Sequence, residues 1–219
     1  MNQNRVEIYG IPESNFTRAV RMVCEEKALD YDHFPVRPHS DEANAIHPLG
    51  KVPGLRHGQV TLGESRAIVA YLDCLYPETP MMPTSPDAAE AEQWVSIVMT
   101  AMDPVLIRQY VFANLFPKTA DGTVDRAAVE APLPTLKAQI KLLDQALARK
   151  NFLAAARFTF ADALLLSTLA AVRLFPEGAH AIDAAPNLAH YVNLHSARAS
   201  FIATDPWKKP GKAGKGENA

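Results

Sequence analysis

A proline-dense segment divides the chain into two parts with different patterns. Between Pro77 and Pro86, four of the chain's 17 prolines fall within ten residues, which is too dense for a helix or an internal strand. We therefore predict an α/β N-terminal domain over residues 1–76, a linker over residues 77–86 and an all-α C-terminal domain over residues 87–207. Residues 208–219 are basic and glycine-rich, and we expect them to form a flexible tail.

The apolar spacing on each side of the linker predicts the order of the elements. Before it, the pattern reads strand, helix, strand, helix, strand, strand and helix, with the segments at residues 6–9, 14–28, 31–36, before His47, 54–55, 60–62 and 64–76. After it, the spacing predicts helices over residues 87–114, 125–149, 160–174 and 188–199. Pro104 is a candidate for a bend in the first of these, and Pro132 and Pro134 interrupt the second.

The segment Gly50-Lys51-Val52-Pro53 places a proline where a short strand is about to begin. A proline is tolerated there because its missing N–H falls outside the ladder, and an X-Pro bond in such a turn is a candidate for the cis form. A cis Val52-Pro53 bond could turn the N–H and C=O of Val52 outward together. An extended peptide could then pair with Val52 as an additional strand.

The next segment, Gly63-Glu64-Ser65, ends a strand and starts a helix. A helix start leaves backbone N–H groups unpaired, and these groups together with the Ser65 hydroxyl suit a ligand carboxylate. Glu64 beside them suits a ligand ammonium, and an α-amino acid carries both groups. The structural alternative is that Ser65 is only an N-cap and Glu64 a surface acid.

Composition and charge narrow the class of protein. The 219 residues are 48% hydrophobic, which is enough for one large or two modest cores, and a net charge of −2 gives no electrostatic footprint for nucleic acid. No run of about 18 apolar residues is free of charge, and the first residues lack the core of a signal peptide. We expect a soluble, cytoplasmic protein that binds neither nucleic acid nor membrane. Cys24 and Cys74 form no metal-ligand or Cys-x-x-Cys pattern, so we expect two buried thiols and no metal site.

Three motifs in the right order carry a family resemblance. Gly50-Lys51-Val52-Pro53 followed by Glu64-Ser65-Arg66-Ala67-Ile68 resembles the glutathione-binding half of the cytosolic glutathione transferases. The segment Tyr9-Gly10-Ile11-Pro12-Glu13-Ser14-Asn15-Phe16-Thr17-Arg18 resembles the serine-type classes, closest to the phi class and its bacterial relatives, and Thr159-Phe160-Ala161-Asp162 resembles the family's capping motif. The resemblance spans residues 6–199 and implies a thioredoxin-like N-terminal domain followed by the helical domain.

The resemblance also implies a catalytic role for Ser14 and a set of glutathione contacts. Ser14 would donate a hydrogen bond to the sulfur of glutathione, the co-substrate, although a plain N-cap is the alternative and a capping serine could do both. Arg18, one turn later, could add positive potential or pair with an acid. The implied glutathione contacts are His39, Lys51, Val52, Pro53, Glu64, Ser65 and Arg66. Asp103, of the same chain or of a partner subunit, could join them.

A second-substrate pocket is expected between the turn at Ile11 and Pro12 and the long helix after the linker. The apolar candidates on that helix are Met99, Met102, Leu106 and Tyr110, although the same positions would also serve as core packing. The resemblance implies a homodimeric glutathione transferase that adds the glutathione thiolate to a hydrophobic electrophile. Glutathione-dependent peroxide reduction and non-catalytic binding of glutathione or hydrophobic ligands are the alternatives. Two departures from the family pattern are His47, where an asparagine is usual, and Ala154-Ala155-Ala156, which replaces a glycine.

Overall fold

A four-stranded mixed sheet forms the centre of the N-terminal domain in the computed structural model, which describes residues 5–116 and 119–207. Its strands are β1 (Val6–Tyr9), β2 (Tyr31–Phe34), β3 (Gly54–His57) and β4 (Val60–Gly63), in the spatial order β2-β1-β3-β4. Strands β1 and β2 are parallel, whereas β3 is antiparallel to β1 and β4. In this register Ile8 lies opposite Leu55, and both are fully buried.

Three helices complete the N-terminal domain: α1 (Asn15–Glu26), α2 (Asp41–Asn44) and α3 (Ser65–Leu75). Helix α1 connects the parallel pair β1 and β2, as a parallel connection requires. It buries Ala19, Val20 and Val23, three of the positions that the helical spacing predicts. The βαβ unit followed by a ββα unit confirms the predicted thioredoxin-like arrangement.

The C-terminal domain is helical, as predicted. Its helices in the described part of the chain are α4 (Asp87–Leu115), α5 (Arg126–Glu130), α6 (Leu133–Ala146), α7 (Phe160–Val172), α8 (Pro176–Asp183), α9 (Pro186–Ser196) and α10 (Ala199–Ala203). The predicted helix over residues 125–149 is divided in two near Pro132. Helices α8 and α10 were not predicted, and α8 starts with a proline at its first helical position, where the missing N–H has no cost.

Helix α4 is wound more loosely than an α-helix over its second half. Residues Val98–Met102 and Pro104–Val111 are π-helical, and the N–H groups of Asp103 and Phe112 bond to the carbonyls five residues earlier, those of Val98 and Ile107. Single π turns are common at functional sites, but a stretch of this length is unusual. By length and composition alone α4 could cross a membrane. It instead contributes fully buried side chains, Leu106 and Tyr110, to the core of the helical domain.

A buried lysine ties the segment after α3 to the N-terminal domain. The ammonium of Lys27 lies 2.8 Å from the Asp73 carboxylate and donates to the carbonyls of Tyr76 and Thr79, each at 2.8 Å. Asp73 in turn accepts the N–H groups of the residues at 81 and 82. Residues 77–86 contain neither helix nor strand, so these hydrogen bonds fix the path of the chain between the two domains.

A buried carboxylate organises the start of α7. Asp162 accepts hydrogen bonds from the N–H and hydroxyl of Thr159, each at 2.9 Å, from the N–H of Leu153 at 2.7 Å and from the hydroxyl of Tyr191 at 3.0 Å. Burial raises the pKa of Asp162 to about 6, although all four hydrogen bonds act in the opposite direction. The predicted structural role of this motif is consistent with these contacts.

The prediction that both cysteines are buried is correct for Cys24 and wrong for Cys74. Cys24 lies in the core of the N-terminal domain, where burial raises the pKa of its thiol to about 12. Cys74 is exposed on α3, because it lies two residues after the buried Leu72 and therefore on another face of the helix.

Candidate active site

A cleft of about 880 Å³ lies between the two domains. The N-terminal domain contributes the starts of α1 and α3 and the turn before β3, and the helical domain contributes α4, the end of α7 and Trp207. Seven predicted glutathione and catalytic positions line this one cleft: Ser14, His39, Lys51, Val52, Pro53, Glu64 and Ser65. Residues far apart in sequence are therefore brought together as the resemblance implies.

Ser14 caps α1 and faces the cleft. Its Oγ accepts the N–H of Thr17 at 3.3 Å, and Thr17 is the third residue of the helix. Accepting a hydrogen bond leaves the hydroxyl hydrogen of Ser14 free to be donated elsewhere. Capping the helix and donating to a ligand are therefore compatible at this residue.

The hydroxyl of Tyr9, at the end of β1, is already engaged. It donates to Glu7 Oε2 at 2.6 Å and accepts from Arg56 Nη1 at 2.9 Å. Burial, together with the hydrogen bond to Glu7, raises the pKa of Tyr9 to about 12. Tyr9 does not line the cleft.

Asn15, the residue after Ser14, joins the two domains. Its buried side-chain amide donates to Asp103 Oδ1 on α4 at 3.1 Å and to Thr168 Oγ1 on α7 at 3.2 Å. The other oxygen of Asp103 accepts from Arg108 Nε at 2.9 Å. Asp103 therefore lines the cleft of its own chain, where Asn15 and Arg108 both hold its carboxylate.

The turn before β3 presents an unpaired stretch of backbone to the cleft. The Val52-Pro53 bond is cis, as the sequence suggested. The N–H and C=O of Val52 have no backbone hydrogen bond with any other described residue. Lys51 and His39 are exposed at the same end of the cleft, where the N–H of His39 donates to the carbonyl of Gly50 at 2.6 Å.

The start of α3 has no side-chain cap. The first N–H to bond within the helix is that of Ile68, which donates to the carbonyl of Glu64 at 3.0 Å, so the preceding N–H groups are unpaired. Ser65 is only 2% exposed, and its Oγ has no hydrogen-bond partner among the described residues. A buried hydroxyl without a partner is costly, and this helix start is suited to an anionic group.

His47 positions the carboxylate of Glu64. Its Nδ1 accepts the N–H of Leu49 at 3.1 Å, so a neutral ring carries its proton on Nε2, and Nε2 lies 3.3 Å from Glu64 Oε1. The ring is close to Gly63, where an added Cβ would lie 2.4 Å from the imidazole. Glu64 has a φ of 63°, a left-handed conformation that is uncommon for a residue other than glycine.

The structure does not place Arg66 at the cleft. Its guanidinium binds Glu92 on α4, with Nε 2.8 Å from Oε1 and 3.1 Å from Oε2. The predicted contact with glutathione is therefore corrected, because this side chain already has a carboxylate partner and connects α3 with α4. Its role in the described chain is to hold the two domains together.

Two family models match the chain. Residues 8–80 match the model described as glutathione S-transferase, N-terminal domain, and residues 88–199 match glutathione S-transferase, C-terminal domain. The chain belongs to the glutathione S-transferase family. It is thus a transferase with glutathione as its co-substrate, and the resemblance stated from the motifs is confirmed.

Plant glutathione transferases are among its relatives. Glutathione S-transferase 3 of Zea mays is 30% identical over 208 residues, which cover 91% of this chain and 92% of the relative. The structure of glutathione S-transferase III in apo form has a TM-score of 0.81 at 29% identity and covers 94% of this chain and 99% of its own. Glutathione S-transferase-I bound with the ligand lactoylglutathione has a TM-score of 0.80 at 25% identity, over 91% and 98% of the two chains.

The helical wall of this glutathione transferase differs from the predicted second-substrate pocket. Ile11 and Met99 line the cleft, but Pro12 does not. Met102, Leu106 and Tyr110 are buried in the core of the helical domain instead. The prediction missed several residues that line the cleft from the second half of α4 and from the chain after it. They include Ile107, Val111, Phe112, Leu115, Phe116 and Trp207.

The predicted residues lie on the neighbouring face of α4. The cleft is lined at a spacing of four residues, by Met99, Asp103, Ile107, Val111 and Leu115. The buried Met102, Leu106 and Tyr110 have the same spacing and each lies one position earlier in the sequence. Spacing alone therefore does not show which of the two faces meets the cleft.

We predict that Asn15→Ala lowers the free energy of unfolding. The variant loses two buried hydrogen bonds and leaves Asp103 with fewer partners, so the loss should be about 2 kcal/mol. Asn193→Ala is the matched control, because Asn193 is exposed on α9 and its loss should change stability by less than about 0.5 kcal/mol. Denaturant unfolding measures both, and equal effects of the two substitutions would contradict the role given to Asn15.

Proposed function

We propose that this enzyme ionises the thiol of glutathione beside Ser14 and transfers the thiolate to a hydrophobic electrophile. The observation that carries the proposal is the Ser14 hydroxyl, which faces the cleft from the start of α1 with its hydrogen free to donate. The thiol proton passes to solvent, and the sulfur electron pair forms a bond to the electrophilic carbon. That carbon either expels a leaving group with its electron pair or passes the pair to a conjugated group that takes up a proton.

Ionisation is the step that needs help from the protein. A free thiol has a pKa of about 8.5 and is mostly protonated at neutral pH. A hydroxyl donating to the sulfur and the positive end of the α1 dipole both favour the anion over the neutral thiol. A serine cannot form a mixed disulfide, which favours transfer over thiol–disulfide chemistry. A protein that only binds glutathione would have no need of this donor.

The remaining polar groups of the cleft fit the other parts of glutathione. The glutamyl carboxylate would bind at the start of α3, where Ser65 supplies a buried hydroxyl without a partner among the described residues, and the ammonium would bind the carboxylate of Glu64. The free N–H and C=O of Val52 would pair with the cysteinyl part. The exposed Lys51 and His39 would hold the glycine carboxylate. Support comes from the relative that binds lactoylglutathione.

We further propose a cytoplasmic homodimer that acts in detoxification and binds neither nucleic acid nor membrane. The net charge of −2 gives no basic surface for nucleic acid, and the apolar face of α4 is used in the core and the cleft. Closed two-fold dimers are the commonest soluble oligomers, and α3 and α4 are the helices expected to meet their counterparts.

Ser14→Ala should raise the pKa of enzyme-bound glutathione and lower turnover at neutral pH. The anion loses a hydrogen-bond donor while the neutral thiol loses little, so the rise should be about one to two units. Thiolate absorbance and turnover with a panel of electrophiles, both measured against pH, give the two values.

Ser40→Ala provides the control for this experiment. Ser40 caps α2 by accepting the N–H of Ala43 at 3.2 Å, the same geometry as Ser14, but it does not line the cleft. Removing this cap should leave the thiolate pKa unchanged. If Ser14→Ala also keeps the parent's thiolate pKa and rate, Ser14 is only a helix cap and the proposed activation is wrong.

Ser65→Ala should weaken the binding of glutathione without changing the pKa of what remains bound. A hydrogen bond to a carboxylate contributes about 1.5–3 kcal/mol, so the dissociation constant should rise by about 10- to 100-fold. Retention on immobilised glutathione and calorimetry measure the effect. Ser96→Ala, on the exposed face of α4, is the control, and retention equal to that of the control would refute the placement of the glutamyl carboxylate.

The assembly can be tested by sedimentation. A homodimer predicts a species of twice the chain mass of 23.9 kDa at micromolar concentration. A single species at the chain mass would rule out the proposed dimer.

A further inference from the structure

Trp207 separates the cleft from a second, smaller cavity. The smaller cavity has a volume of about 220 Å³ and lies behind the cleft, between α1, α7, α9 and α10. Of the described residues, only Leu174 and Trp207 line both spaces. The Trp207 side chain is 45% exposed, so it stands at the cleft without being packed into the core.

The guanidinium of Arg18 lies next to the indole of Trp207. The guanidinium lies 3.9 Å from the centroid of the Phe201 ring and 5.8 Å from that of Trp207, and its Nη2 donates to the Phe201 carbonyl at 3.1 Å. Arg18 is only 2% exposed and does not line the cleft, so its guanidinium lies beneath the cleft surface. A cation–π contact at this distance is weak, which allows the indole to leave its position.

The space behind Trp207 has a mixed lining, and an indole can stack on apolar side chains and on guanidinium groups alike. Leu166, Ala170 and Val192 contribute apolar side chains to the small cavity. Arg18, Arg173 and Asp205 lie at the same cavity, and the backbone N–H of Trp207 donates to Asp205 Oδ1 at 3.0 Å. This hydrogen bond fixes the backbone of Trp207 and involves no atom of the indole.

We propose that Trp207 is a specificity-determining residue whose indole is a displaceable partition between the two cavities. Small electrophiles leave it in place, and a bulky aromatic electrophile displaces it into the space behind. The inference rests on the proposed function, because it assigns the size of second substrate that the same cleft accepts. The substrate class it predicts comprises hydrophobic electrophiles from small alkyl to polycyclic aromatic groups.

Stable S-substituted glutathiones test the partition without requiring turnover. The probes are S-methylglutathione and S-(anthracenylmethyl)glutathione, and the measured quantity is the ratio of their dissociation constants. Trp207→Ala should shift this ratio about tenfold in favour of the bulky conjugate, because the two cavities merge. Trp207→Phe keeps a ring at the position and should shift the ratio less. If Trp207 is only an apolar contact, Trp207→Ala will weaken the bulky conjugate more than the small one, which overturns the proposal.

A second substitution should reverse the change that Trp207→Ala causes in the ratio of dissociation constants. Ala170 lines the small cavity but not the cleft, so Ala170→Phe fills the space behind Trp207. Combined with Trp207→Ala, it should return the ratio to within about twofold of the parent value. A ratio that stays shifted would mean that the bulky group does not enter the small cavity.

Fluorescence reports the displacement directly. The chain has two tryptophans, and Trp94→Phe leaves Trp207 as the only one. The bulky conjugate should change the emission of Trp207, because the indole leaves a half-exposed position for one lined by charged as well as apolar side chains, whereas S-methylglutathione should not. Equal spectra with the two conjugates contradict the proposal.

Failure of the proposed function has a different signature. If S-methylglutathione does not bind the parent protein, the proposed glutathione site is wrong, and the role proposed for Trp207, which depends on that site, is wrong as well. If S-methylglutathione binds and the ratio is unchanged in Trp207→Ala, only the partition is wrong.

Discussion

The hydrogen bonds of the Asn15 amide determine where α1 begins relative to the helical domain, and the geometry of the cleft depends on that position. A single side chain bonds to Asp103 on α4 and to Thr168 on α7, in a buried environment where an unmade hydrogen bond is costly. Because Ser14 immediately precedes it, the free hydroxyl is held facing the wall that α4 and α7 provide. The same contacts join two domains whose cores come from different parts of the chain.

The two sides of the cleft differ in the chemical groups that line them. In the proposed function, the N-terminal side would recognise glutathione through backbone groups that the fold leaves unpaired, at Val52 and at the start of α3, supplemented by the hydroxyls of Ser14 and Ser65. Such groups are fixed by the path of the chain and tolerate little variation. The helical side is largely apolar and contributes side chains from one face of α4. In the proposed function, shape rather than hydrogen bonding would decide which second substrate fits.

The sequence predicted best what is encoded in short contiguous motifs. The cis turn, the start of α3 and the cap of α1 each lie within a few residues, and local chemistry specifies them without knowledge of the rest of the fold. Arg66 shows the limit of this reasoning. Its partner Glu92 is 26 residues away, and a short motif does not reveal a partner so distant in sequence. The prediction of the α4 residues that line the cleft failed for a different reason, since the predicted face and the lining face share a four-residue spacing and differ by one position. Trp207 follows the last helix, where no periodic pattern marks it.

The central claim is that glutathione bound beside Ser14 is ionised at neutral pH, and the proton released on binding measures this most directly. Calorimetric titration of glutathione at pH 7, repeated in buffers with different enthalpies of ionisation, gives the number of protons released for each molecule bound. A free thiol with a pKa of about 8.5 is mostly protonated at that pH, so the account predicts a release close to one proton. Binding with no proton release would show that the thiol stays neutral in the cleft and would contradict the account.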